Sequence, residues 1–188
     1  MMSNGIHQEE IDNWTVTWES AGHHRLWCKQ EHPSASGSVA VVMLNPGSLS
    51  ATGERLRRDT TLRILRDVFL GTGNNPFIVN LFTLATPSPS LLFEQWEDRD
   101  HPLSVRALDL ARSCDAVMYA YGAYGVSGQF ADQVNLRIQE IRSVLGGLRE
   151  VEVPLAKTGT PKHPMRIQIE CLKDEFRQRI SSQVGRNA

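Results

Sequence analysis

Four apolar runs, at residues 39–44, 77–79, 116–120 and 151–155, each lead straight into a short polar signature, and this repeated pattern restricts the chain more than any other feature. Asn45-Pro46-Gly47-Ser48 follows the first run and Asn80 the second. Gly122-Ala123-Tyr124-Gly125 follows the third, and a stretch from Lys157 to His163-Pro164 follows the fourth. The run at 39–44 shows no polar alternation, the mark of a strand covered on both faces. Such strands belong to parallel sheets, where the loops leaving the carboxyl ends converge on one edge and ligands bind. If the four runs are neighbours, residues far apart in sequence share one pocket.

The segments between the runs read as helices. Residues 60–70 place Leu62, Leu65, Val68 and Phe69 at helical spacing, with Asp59 as N-cap and a Gly- and Asn-rich stop at 71–76. A short helical piece fits 91–96, Pro102 opens a helix to about residue 113, and Phe130, Val134, Ile138, Ile141 and Leu145 mark another over 129–145. Upstream, residues 14–19 and 25–30 alternate around a turn at 20–23, which predicts an antiparallel hairpin whose Trp14, Trp18 and Trp27 pack it onto the sheet. Residues 165–176 fit either a strand or a helix. The expected fold is α/β: a short, mostly parallel four-stranded sheet flanked by helices, with an N-terminal hairpin. One domain accounts for the 188 residues, with about 1–12 and 181–188 flexible.

Composition narrows the function classes. The chain is 40% hydrophobic and 22% charged, which suits a globular protein. A net charge of -1 argues against a general polyanion binder but leaves a local basic face open. No apolar stretch approaches the roughly 20 residues of a membrane helix, and the first residues lack a signal-peptide pattern. Cys28, Cys114 and Cys171 are spaced as neither a disulfide framework nor a zinc site. The expectation is a cytoplasmic protein with no membrane partner and no cofactor, of open oligomeric state.

Val-Met-Leu-Asn-Pro at 42–46, Asp59-Thr60-Thr61, Val-Asn-Leu-Phe at 79–82 and Lys-Thr-Gly-x-Pro-x-His-Pro at 157–164 together resemble domain-of-unknown-function family 1643, over roughly residues 24–170. That family name implies no activity. More distantly, the same series is similar to the uracil-DNA glycosylase fold. Asn45-Pro46-Gly47 is similar to a loop after its first strand, Asn80 to a base-reading Asn, Gly122 to a Gly-rich turn, and His163-Pro164 to a His-Pro pair. The chain departs by continuing that pair with Met165-Arg166, where the glycosylases have Ser-Pro.

This second resemblance implies a pocket for a nucleobase, nucleotide or nucleic acid and, as one outcome, cleavage of an N-glycosidic bond on a flipped or single-stranded base. Asn45 holds a water, Asp59 serves as general base and His163 donates to the developing anion. Pro46, Gly47, Ser48, Asn80, Tyr121, Gly122 and Lys157 line the ligand, with Tyr121 or Tyr124 stacking on it. Arg55, Arg57 and Arg58, continued by Arg63 and Arg66, contact phosphate. Each residue also has an ordinary structural reading. Asp59 caps a helix, Asn45 to Ser48 end a strand in a turn, Asn80 satisfies backbone groups, Gly122 permits a tight turn, and His163 and Lys157 are solvated. The arginines form a mixed-charge helix face. Two further functions stay open. One is a non-catalytic sensor of a small phosphorylated metabolite or modified base, and the other a partner-binding protein acting through the Trp-rich hairpin.

Overall fold

In the computed structural model, which describes residues 4–47, 59–124, 129–164 and 170–184, three strands precede the first apolar run. They are β1 (Gly5–Ile11), β2 (Trp14–Ala21) and β3 (His24–Glu31). There follow β4 (Gly37–Met43), α1 (Thr60–Phe69), β5 (Asn74–Asn80), α2 (Pro89–Glu94), a single 3-10 turn (Trp96–Asp98), α3 (Ser104–Ala111), β6 (Ala116–Tyr119), α4 (Ala131–Leu145), β7 (Arg149–Glu150) and α5 (Glu170–Val184). The sheet runs β1-β2-β3-β5-β4-β6-β7. Strands β5, β4, β6 and β7 are parallel, whereas β1, β2 and β3 are antiparallel and β3 joins β5 antiparallel.

The α/β class is as expected, but the sheet is seven-stranded and mixed, not a short four-stranded parallel one. The difference is the hairpin. It extends the sheet instead of packing on it, because β5 leaves a row of ladder groups open on its outer side and β3 fills them, Cys28 opposite Ile78 and Lys29 opposite Phe77. Trp14 and Trp18 therefore join the core on one face and Trp27 the core on the other.

Regular backbone extends towards both chain ends. From Gly5 the chain is an edge strand in continuous register with β2, Gly5 opposite Ser20 through Ile11 opposite Trp14. Its two-residue turn uses Asp12 and Asn13 at φ 53° and 65°, a left-handed conformation these side chains tolerate. At the other end, residues 181–184 continue α5. That helix docks on α1 through buried Phe176 and Ile180, while Arg177 donates through Nε and Nη2 to the Asp67 carbonyl at 3.0 and 2.9 Å. Residues 165–169 and 185–188 lie outside the described residues.

The fourth apolar run is not the strand. Arg149–Glu150 pair with Ala116 and Val117, and the Val151 N–H adds one bond to the Val117 carbonyl at 2.7 Å. Beyond that bond the run leaves the sheet, with Val151 and Val153 still buried.

Two core layers locate the functional edge. Helix α1 covers the face of Val39, Val41, Met43 and Ile78, and α4 covers the face of Ala40, Val42, Val117 and Tyr119. The crossover from β4 to β5 and that from β6 to β7 run in opposite directions across the sheet, which puts their helices on opposite faces. Strand order thus reverses between β4 and β6, the switch point where an open α/β sheet leaves a crevice.

Candidate functional site

Strands β4 and β5 end level with each other. Met43 is in register with Asn80, and the Leu81 N–H donates to the Met43 carbonyl at 2.8 Å. Side chains alternate along a strand, so Asn80 shares the face of Ile78 and of α1. It is 4% exposed, and among the described residues neither Oδ1 nor Nδ2 has a hydrogen-bond partner. Unpartnered buried amide groups are rare, because each costs about 1–3 kcal/mol.

A second buried group with unmade bonds stands on the same face. Arg25, at the start of β3, donates its backbone N–H to the Thr83 carbonyl at 3.0 Å. Its side chain is 1% exposed, yet among the described residues Nε and Nη1 have no hydrogen-bond partner. The nearest acid is Asp59, whose Oδ2 lies 3.9 Å from Nη1. Because Asp59 is the N-cap of α1, this distance puts the guanidinium on the α1 side of the sheet.

Asp59 caps α1 as expected, its Oδ1 accepting from the Leu62 N–H at 3.1 Å. A Cβ added to Gly47 would lie 3.9 Å from Oδ2 of Asp59, so the loop leaving β4 passes beside that carboxylate with open room. Arg25 and the Gly47 loop thus flank Asp59 on the α1 side of the sheet, the side that Asn80 also faces.

A second cluster lies past β6. Gly122 adopts φ +80°, and a Cβ there would meet Cβ of His163 and the Tyr124 ring, each at 3.6 Å. Chain between the fourth strand and His163 is long, but it doubles back on itself. The Lys162 N–H returns to the Pro154 carbonyl at 3.1 Å, and Ala156 N–H reaches the Thr160 carbonyl at 2.8 Å. Predicted partners Gly122 and His163 are thereby brought together, while Lys157 is left exposed in the turn of the excursion. Tyr124 is partly exposed, 6.2 Å from Phe93, which stacks on Phe130 at 5.7 Å; Phe130 stacks on Trp96 at 4.4 Å. This aromatic wall was not read from the sequence beyond Tyr124. Tyr121, by contrast, is buried edge-on to Tyr119 in the second core.

Residues 24–165 match the model of the family described as "Protein of unknown function (DUF1643)". The chain belongs to this family. No curated protein matches it. Among solved structures, a mutant of the esterase rPPE overlaps at 13% identity and a TM-score of 0.27, covering 99% of this chain and 55% of that one. The chain spans about half the length of that esterase, and a likeness of this degree carries no argument about fold or chemistry.

In this DUF1643 chain every residue of both clusters falls inside the matched span. Asn45 ties two loops together. Its Nδ2 donates to Thr86 Oγ1 at 2.9 Å and to the Pro46 carbonyl at 3.0 Å, and the Thr86 N–H returns to Pro46 at 3.0 Å. Pro46 is buried beside this clamp. Arg66 belongs to the core and not to a phosphate-contacting rim: it is 3% exposed and donates through Nη1 to Gln30 Oε1 at 2.8 Å. Arg63 is exposed. Ser48, Arg55, Arg57 and Arg58 lie outside the described residues. Among those described, no cluster of His, Cys, Asp and Glu is fit to hold a metal ion, and no helix is long and apolar enough to cross a membrane.

Behind Asn80, the segment 81–84 is fixed by a polar hub. Thr83 Oγ1 donates to Asp100 Oδ1 at 3.1 Å and accepts the His101 N–H at 2.8 Å, so His24 Nδ1, at 3.0 Å, must be a donor. Arg137 holds the Leu81 carbonyl at 2.9 Å and Asp100 at 2.8 Å. Burial, then the neighbouring His101, lowers the pKa of His24. The unfolded chain therefore binds this proton more readily, and the contribution is lost as pH falls below about 6.5 towards the lower folded value. His24→Asn, which can still donate to Thr83, should flatten the decline of the urea midpoint with acidification below pH ~6.5. An unchanged acid slope would show that His24 is not its source.

Proposed function

We propose that the protein binds a nucleobase, carried free, in a nucleotide or in a nucleic acid strand, in a uracil-DNA-glycosylase-like pocket at the carboxyl edge of β4, β5 and β6. The observation that carries this reading is Asn80. A carboxamide offers a donor and an acceptor side by side, as the edge of a base does, and here both are buried and unmade. The strand reversal between β4 and β6 supports it, because this is where such sheets receive ligands. The partly exposed Tyr124 ring supports it too, since an aromatic face stacks on any base for about 1–3 kcal/mol.

The test is a thermal-shift panel of free bases, nucleoside monophosphates and short single-stranded oligonucleotides. A ligand at a hundred times its Kd stabilises the folded state by about 2.7 kcal/mol, a shift that the Asn80→Leu variant should lack. If no member moves the parent protein, the reading fails.

One observation favours hydrolysis as a second reading. Asp59 uses Oδ1 for the cap and turns Oδ2 towards the loop at Gly47. From there it can take a proton from water attacking the sugar carbon as the C–N bond breaks, with His163 donating to the departing base anion. Chromatographic release of free base from DNA holding uracil, mismatched or modified bases, lost in Asp59→Asn, would support it. No release from any of these leaves binding alone.

A further inference from the structure

We infer that the outer edge of β1 pairs antiparallel with the same edge of a second copy of this chain, about a twofold axis through Gln8, and so makes one continuous sheet across a dimer. The inference is independent of the nucleobase reading. Strand β1 ends the sheet, and among the described residues it pairs with β2 alone. The turn decides which of its backbone groups point outward. Asp12 and Asn13 form a two-residue turn with both φ positive, so the flanking Ile11 and Trp14 exchange hydrogen bonds with each other. Bonded and non-bonded pairs then alternate. Gly5, His7, Glu9 and Ile11 bond towards β2, while Ile6, Gln8 and Glu10 turn their N–H and C=O groups away from the sheet.

Proteins ordinarily blunt such an edge with a short strand, a bulge, a proline or a lysine. The opposite edge of this sheet obeys, since β7 is only Arg149–Glu150. Strand β1 does not. It runs for 7 residues in unbroken register with β2 and holds neither proline nor lysine. Its sequence also fits itself. With the axis at Gln8, Gly5 faces Ile11 of the second copy, Ile6 faces Glu10, His7 faces Glu9 and Gln8 faces Gln8, so the whole strand is paired. The outward groups of Ile6, Gln8 and Glu10 then meet as hydrogen-bonded pairs. His7 and Glu9 meet as non-hydrogen-bonded pairs, in which side chains come closest. An imidazole thus stands against a carboxylate twice, a favourable cross-strand combination. His7 is held ready for it, its ring stacked 5.2 Å from Trp18 and its Nε2 3.0 Å from Ser20 Oγ. On the other face the two Gln8 amides offer each other a donor and an acceptor, and Ile6, 59% exposed, is covered by the stem of Glu10. An axis at Glu9 would instead set carboxylate against carboxylate, and one at His7 would leave Glu10 and Ile11 unpaired. This self-complementarity selects a second copy, over a strand of unrelated sequence, as the occupant.

Sedimentation equilibrium of the full chain should show monomer and dimer with no larger species, because a twofold contact closes on itself. Gln8→Pro deletes an outward N–H from each copy and no bond between β1 and β2, a place where an edge strand accepts proline. Its far-ultraviolet spectrum should match the parent while association weakens about tenfold or more. Cysteine substitution reads the register. Gln8→Cys sets two thiols on residues about 5.5 Å apart at Cα, within disulfide reach, and should cross-link under mild oxidation. Ile6→Cys lies about 14 Å from its own copy and should not. A parent chain that stays monomeric up to about 1 mM overturns the inference. So does a dimer that folded Gln8→Pro leaves at full strength, or an Ile6→Cys chain that cross-links as readily as Gln8→Cys. The cysteine pair decides the matter even if Gln8→Pro fails to fold.

Discussion

Asn80→Leu should raise the stability of the ligand-free protein by about 1–3 kcal/mol while abolishing ligand binding. The wild-type side chain gives up its water in the folded state and receives no hydrogen bond from the described residues in exchange. Leucine fills a similar space with nothing to satisfy, and neighbouring Met43 and Ile78 are already apolar. A core asparagine kept for structure behaves oppositely, since its loss strands the groups it served. Chemical denaturation of the ligand-free pair measures the sign. A fall in stability would mean that the amide is satisfied in solution and would remove the main support for a site here.

Asp59→Ala is expected to be the most damaging single change, for two separable reasons. It removes the cap of α1, worth about 1 kcal/mol. It also leaves Arg25 charged, buried and unpaired, and breaking a buried pair typically costs about 3–5 kcal/mol. With the pair 3.9 Å apart and unbonded, the lower end applies, for a total of about 4 kcal/mol. Asn is as good a cap as Asp, so Asp59→Asn should lose only the charge component, about 3 kcal/mol. Adding Arg25→Met to Asp59→Ala should recover most of that component, because an apolar replacement of a buried pair is close to neutral. If the double variant is no more stable than Asp59→Ala, the guanidinium was not the cause.

How far the sequence foretells this molecule depends on which residue supplies the information. Val39 to Leu44 is apolar throughout, so both its strand and its burial are local properties, and the polar groups that follow are placed correctly at the edge. Residues 151–155 read as a strand on the same grounds, yet their ladder ends at Val151. The charge of Arg66 reads as part of the phosphate-contacting run, yet it sits one turn after Leu62 and next to Leu65, on the arc of α1 that faces the sheet. Arg25 is not legible from its own strand. In an alternating hairpin strand an arginine reads as a solvated rim residue, and its burial comes from a partner strand some fifty positions away, Cys28 opposite Ile78. The first strand was hidden by its polar run His7-Gln8-Glu9-Glu10; the Asp12-Asn13 turn was the available sign.

The antiparallel junction between β3 and β5 has a kinetic corollary. Joining positions 28 and 78 closes a long loop, so this pairing is slow compared with local helix formation. Until it closes, Arg25 is absent from its place beside Asp59. Refolding followed by ligand capture should therefore lag behind refolding followed by far-ultraviolet helix signal, and recognition becomes a reporter of chain assembly at its most distant seam.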